Sequence, residues 1–400
     1  MGARGAIVER LDFKNRDSLP SDFWLIEVPG TIEALRSMAK SHRSRLKTQI
    51  FAVGGSNGKT TTKEWLAYLL GEYAGKDRVF KTLKSNNSIL GIALSLLQIR
   101  EEDFAVIEIG IDEPGWMEKH LEIVRPSGGL ITMIGEEHLQ SLKNIETVAS
   151  EELKLLKYLK ETKGFYAANL DSPWIAKESL PSNSLTYALD ARAELEGKYL
   201  APQTLSAFGL KWDNPLPGKH NAQNLLAALA ALRLLAPEIS LADLKKISLT
   251  APLFSGEAHR SLWLSFAQDV RVFDDSYNAN PESMEKAFES FEELSRGCHQ
   301  KMILGDMLDL GEASQKSHLR ILNLALVSGV NEIFLFGPLF KEAFESLQSS
   351  LPASSPKVHS FTKMEDLQKA AQDSTEAYDC FLLKGSRGMA LERVLKVFND

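Results

Sequence analysis

The 400-residue chain has only two cysteines, Cys298 and Cys380. They give no metal-ligand spacing and no disulfide framework, so a reducing cytoplasm is the expected setting. Basic charge is not in surplus: 46 Lys and Arg stand against 53 Asp and Glu, a net charge of −7. Nucleic acid is therefore disfavoured as a partner, although a local basic pocket for phosphates is not excluded. Long apolar runs are missing as well. The most apolar stretch, Leu225 to Ala236, is short, contains Arg233 and reads as a buried Ala/Leu helix. At the N-terminus, MGARGAIVERLDFK puts charges where a signal peptide needs its apolar run. No membrane insertion is expected. Internal repeats and low-complexity stretches are also absent.

The composition, 44% hydrophobic and 25% charged, is that of a globular protein. At roughly 150 residues per domain, the length predicts two to three domains. Apolar runs of strand length alternate with helical patterns. Ile50–Val53, Ala105–Ile109, Leu130–Ile134 and Phe165–Ala168 read as buried parallel strands, with helices such as Thr61–Glu72 and Glu146–Leu159 between them. A second series has strand candidates at Val270–Phe273, Met302–Leu304, Glu332–Phe336 and Asp379–Leu383. The fold class is thus α/β: a central unit with a mostly parallel sheet, then a smaller Rossmann-like unit. The boundary is expected within Pro252–Glu257, dividing residues 48–256 from 257–400. Residues 1–47 form a third, partial α/β piece, with strands at Gly5–Val8 and Trp24–Val28 and a helix at Ile32–Ser41. A segment that short is marginal as an independent core.

The sharpest chemical signal is Phe51-Ala-Val-Gly-Gly-Ser-Asn-Gly-Lys-Thr-Thr-Thr62. An apolar strand runs into a Gly-rich turn, and Lys and Thr open a helix. Such a turn aims backbone N–H groups and a helix N-terminus at a polyphosphate. Lys59 would neutralise phosphate charge and Thr60 would ligate Mg2+. The full G-x-x-x-x-G-K-[ST] pattern is not met, because Val53 stands at its first glycine. Glu108 lies within the apolar strand Ala105-Val-Ile-Glu-Ile-Gly110, where burial is costly unless the carboxylate is paired or binds metal. His138 closes Gly135-Glu-Glu-His138, and imidazole can hold metal or contact phosphate. Three further polar clusters are Gly218-Lys-His-Asn-Ala-Gln-Asn224, Asp274-Asp-Ser-Tyr-Asn-Ala-Asn-Pro281 and Leu383-Lys-Gly-Ser-Arg-Gly-Met389. Each also has a plain structural explanation, as a helix cap, a turn and a solvated loop respectively.

Taken together, these segments resemble the Mur ligase family. The matching pieces also include Asn87-Ser-Ile-Leu-Gly91 and Leu304-Gly-Asp-Met-Leu-Asp-Leu-Gly-Glu312, so that residues 50–390 are spanned. The segments of the C-terminal third are most similar to the branch that adds D-alanyl-D-alanine. The resemblance implies three domains, for UDP-substrate binding, ATP binding and the incoming amino component. It implies a monomer that joins D-Ala-D-Ala to UDP-N-acetylmuramoyl-tripeptide with ATP and Mg2+, through an acyl phosphate, in cytoplasmic peptidoglycan precursor synthesis. It further implies that Lys59, with Gly55, Ser56, Asn57, Gly58, Thr60 and Thr61, holds the ATP phosphates. Thr60 and Glu108 would hold one Mg2+ and His138 a second. Asn224, Arg260 and Asp275 would approach the nucleotide, and Asn87, Ser88, Asn278, Asn280, Lys384 and Arg387 the other substrates.

The sequence departs from the family in three ways. Arg260 is preceded by Glu-Ala-His, not by the usual Gly or Met. The first 47 residues resemble the second half of a UDP-binding domain, which implies a start assigned too late or a reduced domain. Poor cover is then expected over Ile7, Phe23, Leu25 and Ile26. Finally, the register of the family's carbamylated lysine reads Glu152-Leu-Lys-Leu155. Either Glu152 supplies the carboxylate directly, or Lys154 or Lys157 is the modified lysine. Two other functions stay open: another amide ligase of this fold, such as a folylpolyglutamate synthase, or a non-catalytic nucleotide-binding relative.

Overall fold

The computed structural model describes residues 2–9 and 19–398; residues 1, 10–18 and 399–400, which fall in the first and last expected domains, lie outside the described residues. Two short strands, β1 (Gly5–Glu9) and β2 (Trp24–Val28), pair in parallel. Helix α1 (Thr31–Arg43) follows them but joins the next unit's core. Its Ala39 is fully buried there, and Arg36 and Arg43 donate to the carbonyls of Lys119 (2.9 Å) and Val124 (2.8 Å). Ile7, Phe23 and Leu25 are partly covered, whereas Trp24 and Ile26 are exposed.

The central sheet has seven parallel strands: β3 (Gln49–Gly54), β4 (Val79–Lys81), β5 (Phe104–Glu108), β6 (Gly128–Ile131), β7 (Phe165–Asn169), β8 (Asn183–Ala188) and β9 (Leu195–Glu196). Its helices are α2 (Lys59–Ala74), α3 (Ile89–Leu96), α4 (Trp116–Val124), α5 (Leu139–Leu142) and α6 (Ile145–Thr162). An antiparallel sheet, β10 (Lys198–Leu200), β11 (Thr204–Ala207) and β12 (Leu210–Asp213), precedes α7 (Lys219–Leu235) and α8 (Leu241–Thr250). Along β3, Phe51 and Val53 join Trp65 of α2 and Leu225 of α7 in one core, while Ile50 and Ala52 join Ile92, Leu121 and Leu155 in another. Cover on both faces explains why these strands read as unbroken apolar runs. The strand order is β4-β5-β3-β6-β7-β8-β9, so the connections diverge to either side of β3. A crevice forms beyond the C-terminal ends of the strands at such a switch point.

The C-terminal unit comprises β13 (Leu262–Ser265), β14 (Arg271–Asp274), α9 (Pro281–Leu294), β15 (His299–Gly305), α10 (Ser314–Val327), β16 (Glu332–Phe336), α11 (Pro338–Leu347), β17 (Lys357–Phe361), α12 (Met364–Ser374) and β18 (Asp379–Lys384). The sheet order is β13-β14-β18-β15-β16-β17, parallel except where β13 pairs with β14. One boundary differs from the sequence expectation near the site. β6 ends at Ile131 and does not run to Ile134. Thr132 N–H still donates to Gly54 O (3.0 Å), but its hydroxyl turns to the phosphate loop, 2.5 Å from Asn57 O, and its carbonyl accepts from Asn169 Nδ2 (2.6 Å). Among the described residues, no helix is long and apolar enough to cross a membrane.

Candidate active site

At the end of β3 the chain turns through Gly55-Ser-Asn-Gly58 into α2. Gly55 (φ +115°) and Gly58 (φ +84°) both occupy the left-handed region, where a side chain is strained. A Cβ would also strike Thr132 at the first and Asn224 at the second. The first turn of α2 holds no acidic residue, so its free N–H groups and positive dipole end are unopposed. Lys59, Thr60 and Thr61 of that turn line a cavity of about 360 Å3.

The Lys59 ammonium donates to the carbonyls of Gly55 and Ser56 and lies 3.2 Å from Glu137 Oε2. Burial alone would lower its pKa, but Glu137, Glu152 and Glu108 outweigh burial and the net direction is upward. Lys59 therefore stays charged. Glu108, at the end of β5, accepts from Asn87 Nδ2 at 2.8 Å and has its other oxygen 3.5 Å from the fully buried Lys63 ammonium. Lys63 also donates to the carbonyls of Thr82 (2.9 Å) and Lys84, fixing the loop that carries Ser85 and Asn87. Glu152, on α6, is fully buried, and its Oε2 accepts the Gly55 N–H at 2.8 Å. Burial pushes its pKa up to about 8; Lys59 opposes this, and Glu137 adds to it.

Glu108 Oε2, Glu137 Oε1 and Glu152 Oε1 are buried without a hydrogen-bond partner. Buried carboxylate oxygens are costly in that state and suit an arriving cation. Among the described residues, no three His, Cys, Asp or Glu side chains form a ready-made metal cage. The donor set fits Mg2+, which takes one or two carboxylates and completes its shell with phosphate oxygens and water.

The C-terminal unit closes the opposite side. Arg260 Nη2 donates to Ser85 Oγ at 3.1 Å, and Ser85 Oγ lies 3.0 Å from Thr60 Oγ1. Asp275 accepts the Ser261 N–H (2.9 Å) and the Lys384 ammonium (2.6 Å), and Lys384 also donates to Asn278 O (2.8 Å). Asn280 caps α9 by accepting the Ser283 N–H (2.8 Å), and it donates to Asn57 Oδ1 (2.9 Å). Asn57 in turn donates to Glu282 Oε2 at 3.1 Å. The phosphate loop is thus fastened directly to the first turn of α9. Burial raises the pKa of Glu282. Burial also lowers the pKa of His220, at the start of α7, to about 4, so this imidazole is neutral near pH 7.

Of the residues singled out from the sequence, Ser56, Asn57, Gly58, Lys59, Thr60, Thr61, Asn87, Glu108, His138, Asn224, Arg260, Asp275, Asn278 and Lys384 line this one cavity. Gly55, Ser88, Glu152, Asn280 and Arg387 are not among its lining residues. Gly55 and Glu152 meet behind the loop, and the Ser88 hydroxyl caps α3 by accepting the Gly91 N–H at 3.2 Å. Arg387 is more than half exposed and pairs with Glu392 at 2.7 Å. His138 Nε2 lies 3.3 Å from Asp112 Oδ1. Lys154 is held by Glu118 (2.6 Å) and Glu151, and Lys157 is exposed; neither lines the cavity. The lining also contains Ser85, Thr132, Glu137 and Tyr277, which sequence reasoning did not select. Glu137 had a signal, the acidic pair ahead of His138. Thr132 and Ser85 had none, since a strand-end Thr and a loop Ser are ordinary in those positions.

Residues 53–232 match the Mur ligase middle domain, and residues 259–387 match the Mur ligase glutamate ligase domain. Over 389 residues the chain is 29% identical to the UDP-N-acetylmuramoyl-tripeptide–D-alanyl-D-alanine ligase of Bacillus subtilis, covering 94% of this chain and 81% of that protein. The protein of the same name from Escherichia coli is 26% identical over 391 residues, covering 93% and 82%. A crystal structure of MurF from Acinetobacter baumannii superposes with a TM-score of 0.77 at 26% identity, covering 94% of this chain and 82% of that one. With both domain matches in sequence order and meeting at one cavity, the chain belongs to the Mur ligase family.

Proposed function

We propose that this chain is an ATP-dependent amide ligase that joins D-alanyl-D-alanine to UDP-N-acetylmuramoyl-tripeptide, in the cytoplasmic synthesis of peptidoglycan precursors. The observation that carries this reading is a single cavity lined by Lys59 and Thr60 of one unit and by Arg260, Asp275 and Lys384 of the other. Similarity to ligases of that name supports the choice of substrates.

In this reading the tripeptide carboxylate attacks the γ-phosphorus of ATP, ADP leaves, and an acyl phosphate forms. The amine of D-Ala-D-Ala then attacks the acyl carbon, giving a tetrahedral intermediate that expels phosphate. No side chain need act as a nucleophile, so catalysis rests on positioning and on charge spread over the phosphates. Lys59, the N–H groups of residues 57–61 and the α2 N-terminus hold the β- and γ-phosphates. Thr60 and Glu108 would hold one Mg2+ and His138 a second, with the partnerless Glu137 Oε1 nearby; Glu152, kept protonated near pH 7 by burial, would ionise when a cation arrives. Bound there, Mg2+ would neutralise charge developing on the transferred phosphoryl group. Glu152 keeps a carboxylate in the register of the family's carbamylated lysine, so CO2 is not required. Asn224 and Arg260 contact the nucleotide, and Asp275 acts by holding Ser261 and Lys384. Asn87, Asn278 and Lys384 face the other substrates, supported by Ser88, Asn280 and Arg387.

The test is phosphate release from ATP and Mg2+ with each co-substrate supplied or withheld. Release should require both the UDP-tripeptide and D-Ala-D-Ala. Equal turnover with glutamate in place of the dipeptide would overturn the substrate assignment.

A further inference from the structure

We propose that Tyr277 is the positioning residue for Arg260, its ring holding the guanidinium where it reaches the phosphate loop through Ser85. The inference rests on the ligase reading above and adds a residue to it. The Arg260 guanidinium carbon lies 4.0 Å from the centroid of the Tyr277 ring. Ser85 is its one hydrogen-bond partner among the described residues, and its Nε is buried without any. The ring face is therefore the main restraint on the side chain's direction. A cation over an aromatic face is attracted by the ring quadrupole, more strongly when water is excluded.

The backbone supports the same conclusion. His259 (φ +63°) and Ser261 (φ +52°) flank Arg260, and both lie in the left-handed region that non-glycine residues avoid. Such residues persist only when their surroundings hold them, and they gather at functional sites. Here one turn does the holding. The Tyr277 N–H donates to His259 O at 3.0 Å, Asp274 Oδ2 lies 2.6 Å from His259 Nδ1, and Asp275 Oδ1 accepts the Ser261 N–H at 2.9 Å. The turn after β14 thus aims the Arg260 backbone, and Tyr277 aims its side chain. The same ring lies 5.7 Å from the Arg387 guanidinium, but that group is tied to Glu392.

A double-mutant cycle tests this. Phosphate release, and calorimetric affinity for a non-hydrolysable ATP analogue with Mg2+, are measured for Tyr277→Leu, Arg260→Ala and the double variant. Tyr277→Leu should lose about tenfold in kcat/KM, and the double variant should be no worse than Arg260→Ala alone. Tyr277→Phe keeps the ring and should recover most of what the leucine variant loses. Should Tyr277→Leu fail to fold, Tyr277→Met supplies the same removal of the ring. Losses that multiply in the double variant, or a phenylalanine variant as impaired as the leucine one, would overturn the proposal. If wild type binds the analogue but does not turn over the two co-substrates, the ligase assignment fails, while the affinity cycle still decides the role of Tyr277.

Discussion

On the central side of the cavity, Glu108, Glu137 and Glu152 each keep a buried oxygen without a partner; on the C-terminal side, Asp275 is taken by Lys384 and Ser261, Asp274 by His259, and Arg260 lies on Tyr277. Buried carboxylate oxygens without hydrogen bonds cost stability, and the central side holds three beside two lysines, Lys59 and Lys63. That pattern makes sense where positive charge arrives with a ligand. On the C-terminal side the carboxylates of Asp274 and Asp275 are already paired, so this side can hold cationic groups in fixed directions before the substrates meet. One side is arranged to receive charge, and the other to present it.

The largest effect should come from Lys59, which among those carboxylates also lines the cavity. Lys59→Ala should cut phosphate release by about a thousandfold or more, as expected for loss of a principal charge at a phosphoryl-transfer site. Activity within tenfold of wild type would break the comparison on the central side. Lys384→Met attacks the other side. It leaves Asp275 without its partner in a largely buried setting, which should destabilise the C-terminal unit by about 3 kcal/mol in denaturant titrations. A neutral result would mean that this side is not held by its ion pairs.

Glu152→Gln is the subtler probe. The carboxyl's pKa is raised from 4.5 to about 8, so its protonated form is favoured by folding. Its contribution to stability is full below 4.5 and is lost as the pH rises through about 8. Glutamine cannot ionise, so the variant should gain on wild type between pH 5 and pH 9, read as a melting temperature that falls less steeply with rising pH. A difference that does not change with pH would show that burial is not straining this carboxylate. Glu152→Ala should also be severely impaired in phosphate release, with bicarbonate making no difference. Rescue by bicarbonate would instead point to a modified lysine.

The contrast between the two sides also explains what the sequence could reveal. The phosphate loop was legible because Gly55, Gly58, Lys59 and Thr60 lie together between one strand and one helix, and local geometry demands those residue types. Glu108 stood out as a carboxylate in an apolar strand. Tyr277 did not, because its role depends on Arg260, seventeen positions earlier, across a pair of strands. Thr132 was hidden inside an expected strand that it in fact terminates. The major strands were clear because cover on both faces made them continuous and apolar. The antiparallel strands β10 to β12 were not, being three or four residues long with mixed polarity. Glu152 was found by register alone, and only the fold shows that its carboxylate meets the Gly55 amide rather than solvent.

The most direct test of the ligase chemistry is an isotope transfer. UDP-N-acetylmuramoyl-tripeptide labelled with 18O in its terminal carboxylate is turned over with ATP, Mg2+ and D-Ala-D-Ala, and the released phosphate is analysed by mass. Attack of the carboxylate on the γ-phosphorus, followed by expulsion of phosphate from the acyl carbon, predicts one carboxylate oxygen in each phosphate released. Phosphate free of the label, with amide product formed, would contradict an acyl phosphate route in this cavity.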